Sequence, residues 1–207
     1  MSFDVQKMVS FCAASINAFA KHHSEETFYA FAIDASLLCL NSEEQAVATL
    51  KRYQERWHSK TRELRSLDEL SDEQRKDARR SLEGAAEHGG LNLQDASACL
   101  AYLNDLRMSM REVTGIYSSP ESIRELRENT GDWAYQGFAR MREEDGFDDG
   151  LYRAHYAAAA KAKGGHAPNT DYARSLAQLV NALVGMKAFS CLKLTADFKA
   201  QWVDHDY

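Results

Sequence analysis

Apolar side chains recur along this chain with two periods, and the switch between them outlines its elements. Val5, Met8, Val9, Cys12, Ile16 and Phe19 fall three or four residues apart, which places them on one face of an α-helix. That helix is predicted to end near His22-His23. The run from Thr27 to Ile33 is then aromatic and apolar without helical gaps, and Ser36 to Leu40 is apolar again. Short aromatic runs of this kind read as buried strands, here one or two strands joined at Asp34-Ala35. The alanines of the run leave a short buried helix as the alternative.

Ser42-Glu43-Glu44-Gln45 is a capping box, in which Ser42 accepts from the Gln45 backbone N–H and the Gln45 side chain reaches back. The helix it opens continues through Val47, Leu50, Tyr53 and Trp57. From Lys51 to Arg80 the chain turns strongly polar, with Leu64, Leu67 and Leu70 as scattered apolar points. Ser71-Asp72-Glu73-Gln74 opens a charged helix with a thin stripe of Ala78, Leu82 and Ala85, and Gly89-Gly90 should stop it. Residues 58–90 are therefore expected to form an exposed polar helical insertion. Ala96, Cys99, Leu100, Leu103, Leu106, Met110 and Val113 mark a long helix ended at Gly115. Ser119-Pro120-Glu121 begins another, with an N-cap serine, a first-turn proline and an acid at the positive dipole end.

Asn129-Thr130-Gly131-Asp132 is turn chemistry, and Trp133 to Phe138 alternates like a second strand that Gly137 weakens. An acidic loop from Arg142 to Gly150 ends in Asp148-Asp149, an N-cap for a helix carrying Leu151, Tyr152, His155, Tyr156 and Ala159. Gly164 to Asn169 is the clearest break. Thr170 then opens the helix with the strongest stripe, Leu176, Leu179, Val180, Leu183 and Val184, which is expected to be central. Together the elements predict one α+β domain over residues 1–207. It is predominantly helical, with a small sheet from the Phe28 and Leu38 regions and candidate strands near Trp133 and Leu192.

Composition adds bounds. With 207 residues, 44% of them hydrophobic, the chain can bury a core without disulfides or metals. Cys12, Cys39, Cys99 and Cys191 sit among apolar neighbours with no Cys-x-x-Cys pair, so they are expected to be reduced core thiols. The N-terminal residues lack a basic segment followed by an apolar run, and no stretch is apolar enough to span a bilayer; the expected location is cytoplasmic. The formal charge is −6. That disfavours nucleic acid, which needs a basic surface, and suits a basic protein partner, although mild acidity also serves solubility alone.

Candidate chemistry is sparse. His155 follows Asp148-Asp149 but lacks any paired-histidine ligand spacing, so neither a metal nor a cofactor is expected. Asp204-His205-Asp206 would place its histidine opposite its aspartates on a strand. There is no nucleophile elbow or P-loop spacing. The basic residues between Lys51 and Arg65 read as the solvated side of an amphipathic helix. The acidic and aromatic segments Asp132-Trp133-Ala134-Tyr135 and Glu143-Glu144-Asp145 are the candidates for partner contact, since Trp and Tyr often anchor interfaces. Trp133, Tyr135 and Phe138 serve equally well as core.

The segments Glu26-Thr27-Phe28-Tyr29-Ala30-Phe31-Ala32, Asn41-Ser42-Glu43-Glu44 and Gly131-Asp132-Trp133-Ala134-Tyr135 resemble a group of bacterial proteins. An early Tyr-Ala-Phe strand and a later Asp-Trp motif recur in that group. Small acidic α+β proteins of this kind are similar to the immunity proteins of polymorphic toxin and interbacterial competition systems. The resemblance is confined to these short motifs, and the polar helices from Lys51 to Val113 depart from it as an insertion. It carries no catalytic residue over. It implies a non-enzymatic binding protein that occludes the active site of a cognate toxin with a basic surface. Two alternatives stand beside it: an enzyme with a dispersed site at Asp148, Asp149 and His155, and a helical adaptor dimerising through the first helix, testable by Val9→Glu.

Overall fold

The computed structural model describes residues 3–113, 117–162 and 169–203. In chain order its elements are α1 (Val5–Ala20), β1 (Thr27–Asp34), β2 (Leu37–Ser42), α2 (Glu43–Thr61), α3 (Asp72–Gly89), α4 (Ala96–Val113), α5 (Pro120–Glu128), β3 (Tyr135–Arg140), α6 (Asp149–Ala159), α7 (Asp171–Gly185) and β4 (Lys193–Val203). The fold is α+β, mostly helical, with one four-stranded sheet. Internal contacts mark two compact units within it: Met1–Thr49 with Glu125–Tyr207, and Leu50–Arg124. The polar stretch 58–90 lies inside the second.

In the first unit the strand order is β3-β2-β1-β4. β1 and β2 form an antiparallel hairpin, β3 adds antiparallel to β2, and β4 runs parallel to β1. β1 is buried along nearly its whole length, as a central strand covered on both faces must be. A register irregularity between Phe28 and Ala30 lets Phe28 join Phe31 and Ile33 in one core with Leu38 and Leu40. Met8, Cys12 and Ile16 of α1 and Leu176, Leu179 and Leu183 of α7 close that core. The opposite sheet face carries the small side chains Ala30, Ala32 and Cys39 beneath Tyr29, Ala46 and Trp133.

The second unit has a smaller core of Leu64, Leu70 and Leu103, with Leu67, Ala78, Leu82, Leu100 and Tyr102 half-buried around it. Asn104 on α4 fastens the chain before α3. Its Oδ1 accepts from Leu64 N at 2.8 Å and its Nδ2 donates to Leu64 O at 3.1 Å. Ser71 and Gln74 form both halves of a capping box, and Gly90 ends α3 with φ of 71°. The basic side chains Lys51, Arg52, Arg56, Lys60 and Arg62 face water.

Several expectations change. Val47 is 64% exposed, because α2 turns Ala46 and Thr49 inward instead. Val184 is 53% exposed; it lies one residue past Leu183 and so rotates off the stripe. Among the described side chains of α4 only Cys99 and Leu103 are buried, while Leu106 and Met110 are exposed. Cys191 is exposed and not a core thiol. Burial pushes the Cys12 thiol up to about 12 and the Cys39 thiol up to about 11, so neither is a thiolate near neutrality. Ser42 accepts from Gln45 N at 3.2 Å, but the Gln45 amide donates to the Tyr135 hydroxyl at 3.3 Å, so the box at α2 is half formed. β3 begins two residues after Trp133 and bends at Gly137, φ 67°. α1 turns its apolar face, Val9 included, into the core, so Val9→Glu would disturb folding as well as any association through this helix. Gly115, residues 164–168 and residues 204–207 lie outside the described residues.

Gly146 has φ of 92°, and a Cβ there would meet the Asp4 carbonyl oxygen at 2.7 Å. Gly146→Ala is expected to lower unfolding free energy by about 2 kcal/mol, because backbone strain and a backbone clash coincide. Urea denaturation checks this; a loss under roughly 0.5 kcal/mol, the scale of neutral surface changes, would show that α1 and the Gly146 turn are not held together.

Candidate functional site

β3 ends at Arg140, and the chain then turns through Glu143–Asp145 into α6. Met141 N donates to Ser36 O at 2.8 Å, which ties this turn to the hairpin. Three carboxylates fix the local backbone. Asp145 Oδ2 accepts from Arg142 N at 2.9 Å. Asp148 Oδ1 caps α6, accepting from Gly150 N at 2.8 Å and Leu151 N at 3.2 Å. Asp4 Oδ1 caps α1 through Lys7 N at 3.1 Å, and Asp4 N donates to Gly146 O at 3.2 Å.

These turns enclose an open cleft of about 740 Å³, with buried Met141 and Phe147 in its lining. Its charged lining comes from α1 (Asp4, Lys7), the end of β3 (Arg140), the following turn (Arg142, Glu143) and α6 (Asp149, Arg153). Lys7 and Asp4 approach at 3.8 Å, and Arg142 reaches Glu144 at 3.7 Å. Among the described residues Glu143, Asp149, Arg140 and Arg153 form no ion pair, and all four are exposed. The cleft therefore presents unpaired charge of both signs.

A second polar cluster stands at the open end of the hairpin. Glu26 Oε1 lies 2.9 Å from His23 Nδ1 and accepts from the Tyr135 hydroxyl, while Oε2 accepts from Ser42 Oγ. The His23 ring stacks on Phe19 at 4.0 Å. Burial disfavours the Glu26 carboxylate, but the bonds from Ser42, Tyr135 and His23 outweigh it and hold its pKa below the ordinary 4.5. Ser42 donates to Glu26 and accepts from Gln45, so its hydroxyl is spent on structure.

A third cluster braces the opposite sheet face. Arg127 donates from Nη1 and Nη2 to the two carboxylate oxygens of Glu43, each at 2.7 Å, and its guanidinium lies 4.0 Å from the Tyr29 ring centroid. Its main-chain oxygen accepts from Tyr29 Oη at 3.0 Å and Trp133 Nε1 at 2.8 Å. Asn41 links Tyr29 and Ala134 N, and Thr130 donates to the buried Asp34 carboxylate at 2.7 Å.

The sequence candidates separate accordingly. Trp133 is 4% exposed and serves this brace and the second core; it is not a surface anchor, because its indole N–H finds its partner inside. Asp132 is half-buried and accepts from Asn129 Nδ2 at 2.7 Å. Tyr135 is half-buried against Glu26. Glu143 and Glu144 are exposed, and Asp145 is half-buried and holds the turn. The structure brings Glu143, Asp148 and Asp149 to one cleft. His155 does not join them: it is 1% exposed, with Nδ1 2.7 Å from Thr170 Oγ1 and its ring 4.8 Å from that of Tyr172. Among the described residues no group of three or more His, Cys, Asp or Glu side chains is placed to hold a metal ion, and no helix is long and apolar enough to cross a membrane. Sequence reasoning missed the Glu26 and Arg127 clusters, whose partners are as much as 109 and 98 residues apart; no local spacing signals them.

Two outcomes follow from these clusters. Trp133→Ala is expected to cost about 3 kcal/mol of stability through lost burial and a lost indole hydrogen bond, read as a large drop in Tm. An unchanged Tm would return Trp133 to the surface. For Glu26, the folded pKa lies below the unfolded value, so its stabilisation is full above pH 4.5 and lost as pH falls through the depressed folded value. Glu26→Gln should therefore flatten the acid limb of a stability–pH curve, and an unchanged acid limb would remove Glu26 from that role.

No family model, no curated protein and no solved structure matches this chain.

Proposed function

We propose that this chain is a non-enzymatic binding protein whose contact surface is the cleft between the start of α1, the turn after β3 and the start of α6. The partner class that fits is a protein with basic side chains, and the immunity-protein resemblance names it more closely as a toxin blocked by occlusion of its active site. One observation carries the reading: Glu143 and Asp149 stand exposed and unpaired at a cleft in the unit that holds the whole net charge. Of 25 basic and 31 acidic residues, 12 and 18 fall in the first unit and 13 and 13 in the second.

The acidic excess would attract a basic partner and speed encounter. Arg140 and Arg153 would then donate to carboxylates of that partner, which fixes register and rejects partners of uniform charge. The aromatic anchor expected at Trp133 has no replacement in this reading, which rests on charge: Met141 and Phe147 line the cleft but are buried in the core.

The test is capture of a partner from bacterial lysate on the purified chain, beside the double variant Glu143→Lys/Asp149→Lys. One stoichiometric partner should bind the wild type, and the variant should associate at least about tenfold more slowly at low salt. Equal association by both would exclude the cleft, and failure to recover any stoichiometric partner would count against the binding reading itself.

A further inference from the structure

The second unit leaves apolar side chains outside its own core. Its buried centre is Leu64, Leu70 and Leu103; Cys99 of α4 is buried as well. In scaffolds of up to about 70–80 residues a single core rarely supplies more than about 3–5 kcal/mol, so in a unit the size of Leu50–Arg124 the excluded side chains matter. Leu106 and Met110, at 36% and 43% exposure, follow Leu103 at helical spacing. They line an open groove of about 170 Å³ whose other apolar residues are Leu70, Ala78 and Leu103.

The rim of this groove is charged on both sides. Asp77 stands on α3, and Lys60 and Arg107 stand on α2 and α4. Among the described residues none of the three makes an ion pair; Arg107 donates only to the Arg62 carbonyl, at 3.3 Å. Burial and the neighbouring Arg62 disfavour the Arg107 charge and the nearby Glu69 carboxylate only partly offsets them, so a further carboxylate from outside would favour it. The unit is also neutral, with 13 basic and 13 acidic residues, so two copies of it meet without net repulsion.

From this geometry we infer that a second copy of this chain covers the groove, by two-fold pairing of α3 and α4 with α4 and α3 of the partner. A two-fold contact is self-complementary. Each Asp77 then faces an Arg107 across the axis, each Arg107 faces an Asp77, and Leu106 and Met110 of both copies bury one another. A foreign partner would need this same alternation of signs around an apolar stripe, which the chain itself already supplies. The pairing is independent of the cleft in the first unit.

Sedimentation equilibrium of the full chain tests it. The wild type should show a monomer–dimer equilibrium in the micromolar range. Leu106→Glu should raise the dissociation constant at least about tenfold, with an unchanged circular dichroism spectrum because the side chain is already exposed. Asp77→Arg should weaken the dimer, and adding Arg107→Asp should restore it, which loss of folding alone would not do. A wild type that stays monomeric throughout, a dimer indifferent to Leu106→Glu, or a charge swap that fails to restore association would each overturn the proposal and leave the groove to another occupant.

Discussion

β1 has strands on both edges and side chains packed over both faces, and that enclosure sets the terms for everything around it in the first unit. A strand with no solvent face must be apolar or small almost throughout, and its backbone groups must all find partners. Phe28, Phe31 and Ile33 supply the large side chains for α1 and α7, each burial being worth roughly 1.5–3 kcal/mol. Ala30 and Ala32 keep the other face shallow, which brings the chain from Arg127 to Trp133 close to the sheet.

Polar groups enter this interior only with partners, as burial without them is costly. Asp34 has Thr130, and Asn41, Tyr29 and the Arg127 carbonyl form a chain. Arg127 in turn clamps Glu43 at the start of α2. A bidentate arginine pair is the geometry in which such contacts are strong, and the cation over the Tyr29 ring adds to it. The sheet register then places two polar groups at opposite ends of the hairpin. Leu40 pairs with Tyr135 at the open end, where Glu26 collects three donors, and Leu37 pairs with Arg140 at the turn end, where the charged cleft begins. The cleft thus begins at the end of β3, with acid caps and a left-handed glycine fixing its walls.

The second unit follows a different economy. Its core is a few leucines, its helices are charge-rich and its net charge is zero. Local devices carry more of its order: a complete capping box at Ser71, a left-handed Gly90 and the Asn104 clamp on Leu64. Leu106 and Met110 stay outside that core and exposed.

Elements and their ends were legible in the sequence because they rest on short-range rules. Helical spacing gave α1 and α7, aromatic runs gave the β1–β2 hairpin, and Ser71, Ser119 and Asp148 marked helix starts through hydrogen bonds spanning a few residues. Which side of each helix faces inward was only partly legible: Val47, Leu106 and Val184 fit an apolar stripe, yet which stripe is covered depends on neighbours distant in sequence. The same reason separates the candidates for function. Glu143 and Asp149 were visible as acids, but only the meeting of α1, β3 and α6 makes them walls of one cleft. Trp133 was visible as an aromatic, but only the position of the Arg127 carbonyl turns it inward. The sequence by itself determined the periods, the caps and the charge of this protein, since those are local; tertiary structure alone decided which polar groups are satisfied and which stay free, because hydrogen bonds and ion pairs are settled between residues brought together by the sheet.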